Sequence, residues 1–276
     1  MGAEAPTSAV SARRRPPTGA QRRSSGGIQV IARAAAILRA LQENPAGLTL
    51  GELSRLVSLP RSTVQRIVDA LDDESLVIAA SPTRGVRLGP ALLALAAATR
   101  FEIADFVRPA LQEIARECGE TVDLSLLDGD RLVFVEQVTG VHHLRAESGV
   151  GVSFTLHSTA PGKAMLAAMD EPALASLRNR LKLARHTRNT ITSWKALDEE
   201  LAAVRKSGIA IDNEENSLGI CALSIALVGP GDELAAISIP LPVQRFAASR
   251  ARLERLLSSH GRKLRQTLEG GRFHAS

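Results

Sequence analysis

The strongest constraint on the fold is a pair of short helices predicted between Thr49 and Leu71. Thr49 and Glu52 have the spacing of a capping box, in which each side chain satisfies a free backbone amide at a helix start. A break at residues 58–60 ends this helix, and its Pro60 suits the first turn of the next one. The apolar residues there have helical spacing, at Val64, Ile67, Val68 and Leu71. Two short helices separated by three residues predict a helix-turn-helix.

The second of these helices carries a polar and basic face at its N-terminal end. Arginine binds guanine or phosphate there, and short polar side chains reach base edges. Residues 76–78 and 86–88 flank a turn and predict a hairpin wing with Arg84 near its tip. For Arg87, bracing the wing and contacting DNA are both open. The predicted DNA-binding residues are Arg61, Ser62, Thr63, Gln65, Arg66 and Arg84.

The charge distribution supports a polyanionic partner only weakly. Residues 1–90 hold 12 basic and 7 acidic side chains, and the remainder holds 22 of each, so the net charge of +5 lies in the first third. Five of those arginines fall within residues 1–27, which are rich in Pro, Gly and Ser and are predicted to be a disordered basic tail. With six Phe, one Trp and no Tyr, the chain lacks material for a platform that stacks single-stranded bases.

The rest of the chain alternates between helical and strand-like patterns. Residues 90–100 are apolar nearly all round, so we expect a helix buried in a core or against a second subunit. A helix at 101–117 precedes a period-two segment at 121–126 and a hairpin turn at Asp128 and Gly129. Further strands are predicted near 132–135, 141–147, 208–212, 221–228 and 234–239, with helices near 161–169, 172–182, 194–207 and 250–267. This order favours an α+β domain with a largely antiparallel sheet.

Four segments, in order, resemble the IclR family of bacterial transcriptional regulators. They are Arg33-Ala34, the run from Leu59 to Arg66 with Arg87-Leu88-Gly89 after it, the run from Leu156 to Ala164, and residues 208–215 followed by Gly219 and Cys221. The resemblance implies a winged helix-turn-helix at 28–89, a linker helix at 90–100, a GAF-like effector-binding domain at 101–268 and a flexible tail at 269–276. It also implies homodimers or dimers of dimers on palindromic operators of double-stranded DNA.

The resemblance places an effector site in the C-terminal half and implies that the effector is a small organic acid. Backbone amides at a helix start bind carboxylates well, and Ala160 and Gly162 can supply them whereas Pro161 has no N–H. The predicted effector-binding residues are Ala160, Gly162, Asp212, Cys221 and Ser238.

Several of these residue types also have structural explanations. Asp212 could cap a turn, Cys221 could be a small buried apolar residue, and His157 could be a structural hydrogen-bonding group. His142 and His143 are adjacent, so on a strand they would point to opposite faces, and no metal site is predicted. Lys163 follows Gly162 without the upstream glycine of a phosphate-binding loop, so no nucleotide or other cofactor is predicted.

The sequence therefore predicts a cytoplasmic, ligand-responsive transcriptional regulator, with repression favoured over activation. Two other functions remain open. One is a constitutive DNA-binding protein whose C-terminal half only oligomerises. The other is an enzyme built on Cys221, His157 and the acidic group around Asp212, although no nucleophile motif supports it. No membrane partner is predicted, because the longest apolar run, at 91–98, is too short to span a bilayer.

Overall fold

The computed structural model describes residues 24–79, 85–98, 102–146, 148–229 and 232–269. The chain divides into two compact units, residues 1–99 and 100–276. In the described ranges, no helix is both long enough and apolar enough to cross a membrane.

The N-terminal unit is a helix-turn-helix followed by a two-stranded wing. Its elements are α1 (Ser24–Gln42), α2 (Leu50–Leu56), α3 (Arg61–Asp73), β1 (Val77–Ile78), β2 (Arg87–Leu88) and α4 (Ala91–Ala98). Strands β1 and β2 pair antiparallel, and a further bridge joins Leu48 to Val86. The predicted fold of this half is confirmed.

The apolar stripe of α3 forms the core of the N-terminal unit. Val64, Ile67, Val68 and Leu71 are buried, as their spacing predicts, and they pack with Ile37 and Leu41 of α1 and Leu53 of α2. The capping box also forms: the Thr49 amide donates to Glu52 Oε2 at 2.8 Å, and the Glu52 amide donates to Thr49 Oγ1 at 3.3 Å. These contacts lower the pKa of Glu52 and hold α2 at a defined start beside α3.

Two features of this unit differ from the prediction. Helix α1 begins at Ser24, so residues 24–27 are helical, although their composition predicted that they belong to the disordered tail. Composition alone is misleading here because serine is also common at the start of a helix. The 90–100 helix was predicted to be buried either in a core or against a second subunit. The first alternative does not hold, because Leu93 of α4 is 76% exposed and Leu95 is 58% exposed. Burial against a second subunit stays a prediction.

The C-terminal unit is an α+β domain built on one antiparallel sheet of six strands. The strands are β3 (Val122–Asp128), β4 (Arg131–Val138), β5 (Ser153–Thr155), β6 (Ala210–Asn213), β7 (Ile220–Val228) and β8 (Leu234–Pro242). The helices are α5 (Glu102–Cys118), α6 (Ala160–Ala168), α7 (Glu171–Arg178), α8 (Trp194–Ser207) and α9 (Val243–Glu269). The strand order is β5-β4-β3-β8-β7-β6, and each neighbouring pair is antiparallel.

Helices cover both faces of this sheet. On one face, α5 and α9 pack against alternate residues of the central strands, among them Leu124 and Leu223. On the other face, α6, α7 and α8 pack around Leu132, Phe134 and Ala236. Because side chains alternate along a strand, the polar residues between the apolar ones face the α6 side.

Two predicted elements of this unit need correction. No strand occurs among the described residues of 141–147; Val141 and Leu144 are exposed there, and the edge strand is β5 instead. Exposed apolar side chains without a buried face do not define a strand register. The helix predicted at 250–267 begins at Val243, directly after β8 ends at Pro242.

Candidate functional site

Helix α3 presents the predicted DNA-binding residues at its N-terminal end. Arg61, Ser62 and Arg66 are exposed, whereas Thr63 and Gln65 are partly buried. The Gln65 side-chain amide donates to Asp69 Oδ1 at 2.6 Å, one helical turn further on. This bond orients Gln65 along the helix surface, and the buried stripe on the opposite side anchors the whole polar face.

The turn between α2 and α3 sets the orientation of the polar face. Ser58 has a positive φ of 51°, which lets the chain reverse between the helices. Ser54 Oγ donates to the Leu59 carbonyl at 2.6 Å, and the Leu59 amide donates back to the Ser54 carbonyl at 3.1 Å. These two hydrogen bonds between Ser54 of α2 and Leu59 therefore stabilise the turn.

The wing is described at its base only. Arg84 lies outside the described residues. Arg87 is half-buried beside Leu41, Gln42 and Pro45, and its buried Nε forms no hydrogen bond with a described residue. Its position between the wing and α1 fits the bracing role.

A cavity of about 310 Å³ lies between the sheet and the start of α6. Strand residues Asp123, Asp212, Ala222 and Ser238 line its sheet side, and Thr159 to Pro161 line its helix side. Phe134 and Phe154 stack edge-to-face at one end, with ring centroids 5.4 Å apart. The cavity therefore combines an aromatic end with isolated polar groups, which is typical of small-molecule sites.

Asp212 has both of the roles weighed from the sequence. Its Oδ1 accepts from the Glu215 amide at 2.7 Å and from the Asn216 amide at 3.4 Å, so it caps the turn after β6. The side chain also lines the cavity and is only 5% exposed. Burial raises the pKa of Asp212 to about 7, against the lowering effect of the Glu215 amide.

A second carboxyl group, Asp123 on β3, lines the same cavity and was missed from the sequence. Gln137 donates to its Oδ1 at 2.8 Å and Ser148 donates to its Oδ2 at 2.6 Å. Burial raises the pKa of Asp123 to about 6, while these two donors lower it. The alternation of Thr121, Asp123 and Ser125 on one face of an otherwise apolar strand was the available signal.

The start of α6 offers fewer amides than its position suggests. Thr159 caps the helix, and the Gly162 amide donates to Thr159 Oγ1 at 3.2 Å. Pro161 has no N–H, so within the first three residues only the Ala160 amide is left for a ligand. Gly162 does not line the cavity; it packs on Leu156, where an added Cβ would lie 2.2 Å from the Leu156 carbonyl oxygen.

The remaining predicted groups lie away from the cavity. Cys221 points to the α5–α9 face of the sheet, where it is fully buried. Burial raises the pKa of its thiol to about 11, so it is neutral and suits the small apolar role. His157 Nε2 hydrogen-bonds to the Ala184 carbonyl at 2.9 Å, and burial lowers its pKa. Cys221, His157 and Asp212 therefore form no nucleophile–base pair.

The two units define a class of protein. Its members are regulators in which one domain carries a helix-turn-helix and another, an α+β domain, carries a cavity for a small molecule. Residues 30–77 match the model of the IclR helix-turn-helix domain, and residues 95–266 match the model of the bacterial transcriptional regulator IclR C-terminal domain. The chain belongs to the IclR family. This is a family of transcriptional regulators rather than enzymes.

The curated relatives are named as transcriptional regulators, and this chain matches them over most of their length. The HTH-type transcriptional regulator Rv1719 of Mycobacterium tuberculosis is 48% identical over 230 residues, covering 83% of this chain and 88% of the relative. The transcriptional repressor IclR of Escherichia coli is 28% identical over 243 residues, covering 86% and 89%.

Solved structures share the whole architecture. The Thermotoga maritima IclR is 27% identical, with a TM-score of 0.66 over 87% of this chain and 99% of that one. An IclR homolog from Microbacterium hydrocarbonoxydans, solved as a complex with 4-hydroxybenzoate, is 19% identical, with a TM-score of 0.72 over 88% and 100%. The second likeness concerns the fold alone.

Proposed function

We propose that this protein is a ligand-responsive regulator that inserts the N-terminal end of α3 into the major groove of a double-stranded DNA operator. The exposed pair Arg61 and Arg66 on a helix anchored by its buried stripe carries the proposal. Arg61, Ser62 and Arg66 contact bases or phosphates directly, and Thr63 and Gln65 contribute from the edge of the same face. The protein acts in the cytoplasm, where its operator lies.

The operator is palindromic and the protein binds it as a homodimer or a dimer of dimers. Leu93 of α4, which is 76% exposed, supports this, because apolar side chains so exposed in one chain are commonly covered by another. Two copies related by a two-fold axis place their recognition helices about one DNA turn, roughly 34 Å, apart.

The effector occupies the cavity lined by Asp123 and Asp212. A volume of about 310 Å³ suits a molecule of one or two rings, since a cavity of roughly 150 Å³ already accepts benzene. The 4-hydroxybenzoate bound by the Microbacterium relative has that size and carries both an acid and a hydroxyl group. Effector binding shifts a balance between arrangements that bind DNA well or poorly. A role as a repressor agrees with the name of the Escherichia coli relative, the transcriptional repressor IclR.

DNA binding is tested by fluorescence anisotropy on the DNA upstream of the protein's own gene and its neighbours. We expect Arg66→Ala to lose sequence-specific binding while Arg180→Ala, an exposed arginine of the C-terminal unit, retains it. Equal affinity of both variants would contradict the assignment of α3.

The effector site is tested by filling the cavity. Ala222→Phe projects a ring from β7 into it, whereas Ala202→Phe adds the same ring on the exposed side of α8. We expect only Ala222→Phe to abolish ligand effects on DNA affinity. If no small molecule changes DNA affinity in the unmodified protein, the constitutive DNA-binding alternative is favoured.

A further inference from the structure

Two carboxyl groups, Asp123 and Asp212, line the cavity together with side chains that can donate or accept, among them Asn216, Ser217 and Ser238. Both hydrogen bonds that Asp212 receives from described residues go to Oδ1, so Oδ2 is available to a ligand. Asp123 faces the same space from β3, three strands away in the sheet order, on the order of 14 Å at the backbone. A ligand therefore meets a carboxyl group at either end of the cavity.

The features that would bind an anion are weak by comparison. A helix start binds carboxylates through several free amides, but α6 has Pro161 at its second position and a Gly162 amide already bonded to Thr159. The buried cation of this helix, Lys163, donates to Glu200 at 2.9 Å and to Glu215 at 2.6 Å. Arg145 lines the cavity but is exposed, and its guanidinium contacts the His142 carbonyl.

The aromatic end of the cavity favours a ring. Phe134 and Phe154 already form an edge-to-face pair, and a third ring adds a contact of the same kind. Asp123 neighbours this end, because β3 and β4 pair directly. The site thus offers a ring contact and the carboxyl group of Asp123 towards one end, and the carboxyl group of Asp212 towards the other.

We propose that the effector is an uncharged ring compound bearing a hydroxyl group, and that this hydroxyl donates a hydrogen bond to the carboxylate of Asp212. This inference rests on the proposed function of the cavity as the effector site. It replaces the small organic acid expected from the family resemblance, because a ligand carboxylate would face two buried carboxyl groups without a set of free amides to offset them.

A matched pair of probes tests the ligand class. 2-Naphthalenemethanol and 2-naphthoate share one carbon skeleton and differ in a hydroxymethyl against a carboxylate group. Their dissociation constants are measured by calorimetry on the full-length protein at pH 8. We expect the alcohol to bind at least tenfold more tightly than the acid.

Asp212→Asn supplies the specificity test. The amide oxygen can still accept the two turn hydrogen bonds, and the amide nitrogen presents a donor to the cavity. We expect the alcohol-to-acid affinity ratio to fall at least tenfold. Asp128→Asn, an exposed position at the end of the same strand as Asp123, should leave the ratio unchanged.

The outcomes separate this inference from the proposed function. Tighter binding of the acid, failure of both probes to bind at millimolar concentration, or an unchanged ratio in Asp212→Asn would overturn the hydroxyl assignment. If the acid binds, is lost in Ala222→Phe and alters DNA affinity, the effector site stands and only the ligand class fails. Alcohol binding without any effect on DNA affinity would support the ligand class and contradict ligand-responsive regulation.

Discussion

The ammonium group of Lys163 lies 2.6 Å from Oε1 of Glu215, and both side chains are buried. Glu200 of α8 accepts from the same ammonium at 2.9 Å, so one lysine joins α6, α8 and the loop after β6. Glu215 Oε2 is buried and has no hydrogen-bond partner among the described residues. The same loop carries the amide that donates to Asp212, which lines the cavity. Lys163 therefore stabilises the loop that positions Asp212.

Replacing Lys163 should destabilise the C-terminal unit. Lys163→Met leaves the Glu215 carboxylate buried without its cation, at a cost of roughly 3–5 kcal/mol in the free energy of unfolding. Denaturant unfolding followed by the fluorescence of Trp194, the single tryptophan, measures this unit directly. The double variant Lys163→Met/Glu215→Leu should recover much of the loss. A single variant as stable as the unmodified protein would contradict the role of the pair.

The helix-turn-helix could be predicted because its determinants are local. The capping box, the break at Pro60 and the spacing of Val64 and Leu71 are all read within 25 residues. The antiparallel sheet was predicted from period-two patterns and turns, again local features. The strand predicted at 141–147 was wrong because apolar residues that do not alternate strictly with polar ones do not show which face is buried.

The cavity could be predicted only in part. Asp212 and Ser238 were identified through the family resemblance, whereas Asp123 depends on the register of β3 against β8, which places it opposite Ser238. No local pattern shows that Cys221 faces away while its neighbour Ala222 faces the cavity. The register of β7 in the sheet decides which of the two side chains faces the cavity, and a shift of one residue would exchange them.

Gly162 is predicted to be required for packing rather than for ligand contact. An added Cβ would lie 2.2 Å from the Leu156 carbonyl oxygen and 2.6 Å from its carbonyl carbon, so backbone must move. Gly162→Ala should lower stability by about 3 kcal/mol, as overpacking does. Gly51→Ala in α2 has nothing closer than 3.9 Å and should raise stability by about 0.5–1 kcal/mol. Thermal unfolding followed by circular dichroism compares them, and similar shifts in both would contradict the packing explanation.

Arg66 is predicted to contribute to DNA affinity in a salt-dependent manner if it contacts phosphate, and in a sequence-dependent manner if it contacts a base. For Arg66→Ala, loss of a phosphate contact should reduce the slope of log affinity against log salt by about 1. Loss of a base contact should instead cost roughly 1–3 kcal/mol on the operator only. Anisotropy on operator and unrelated DNA at several salt concentrations distinguishes them. No change in slope or specificity would remove Arg66 from the interface.

Asp212 links stability to pH with a definite sign. Its pKa is about 7 in the folded chain against an ordinary value of 3.8, so the folded state holds a proton that the unfolded state has released. Its contribution to the free energy of unfolding is therefore fully present below about pH 4 and is lost as pH rises towards 7. Asp123 acts in the same direction over a narrower range, ending near pH 6.

Asp212→Asn should remove the part of this pH dependence that comes from Asp212 and leave the part that comes from Asp123. The asparagine keeps an acceptor for the Glu215 and Asn216 amides and carries no charge at any pH, so it resembles the protonated aspartic acid. We expect the variant to be more stable than the unmodified protein at pH 8 and nearly equal to it at pH 4. The difference should be on the order of 4 kcal/mol, because the pKa of Asp212 lies at about 7 instead of 3.8. Denaturant unfolding of both proteins at the two pH values, followed by Trp194 fluorescence, measures it. Equal stability differences at pH 4 and pH 8 would show that Asp212 ionises without a penalty from burial.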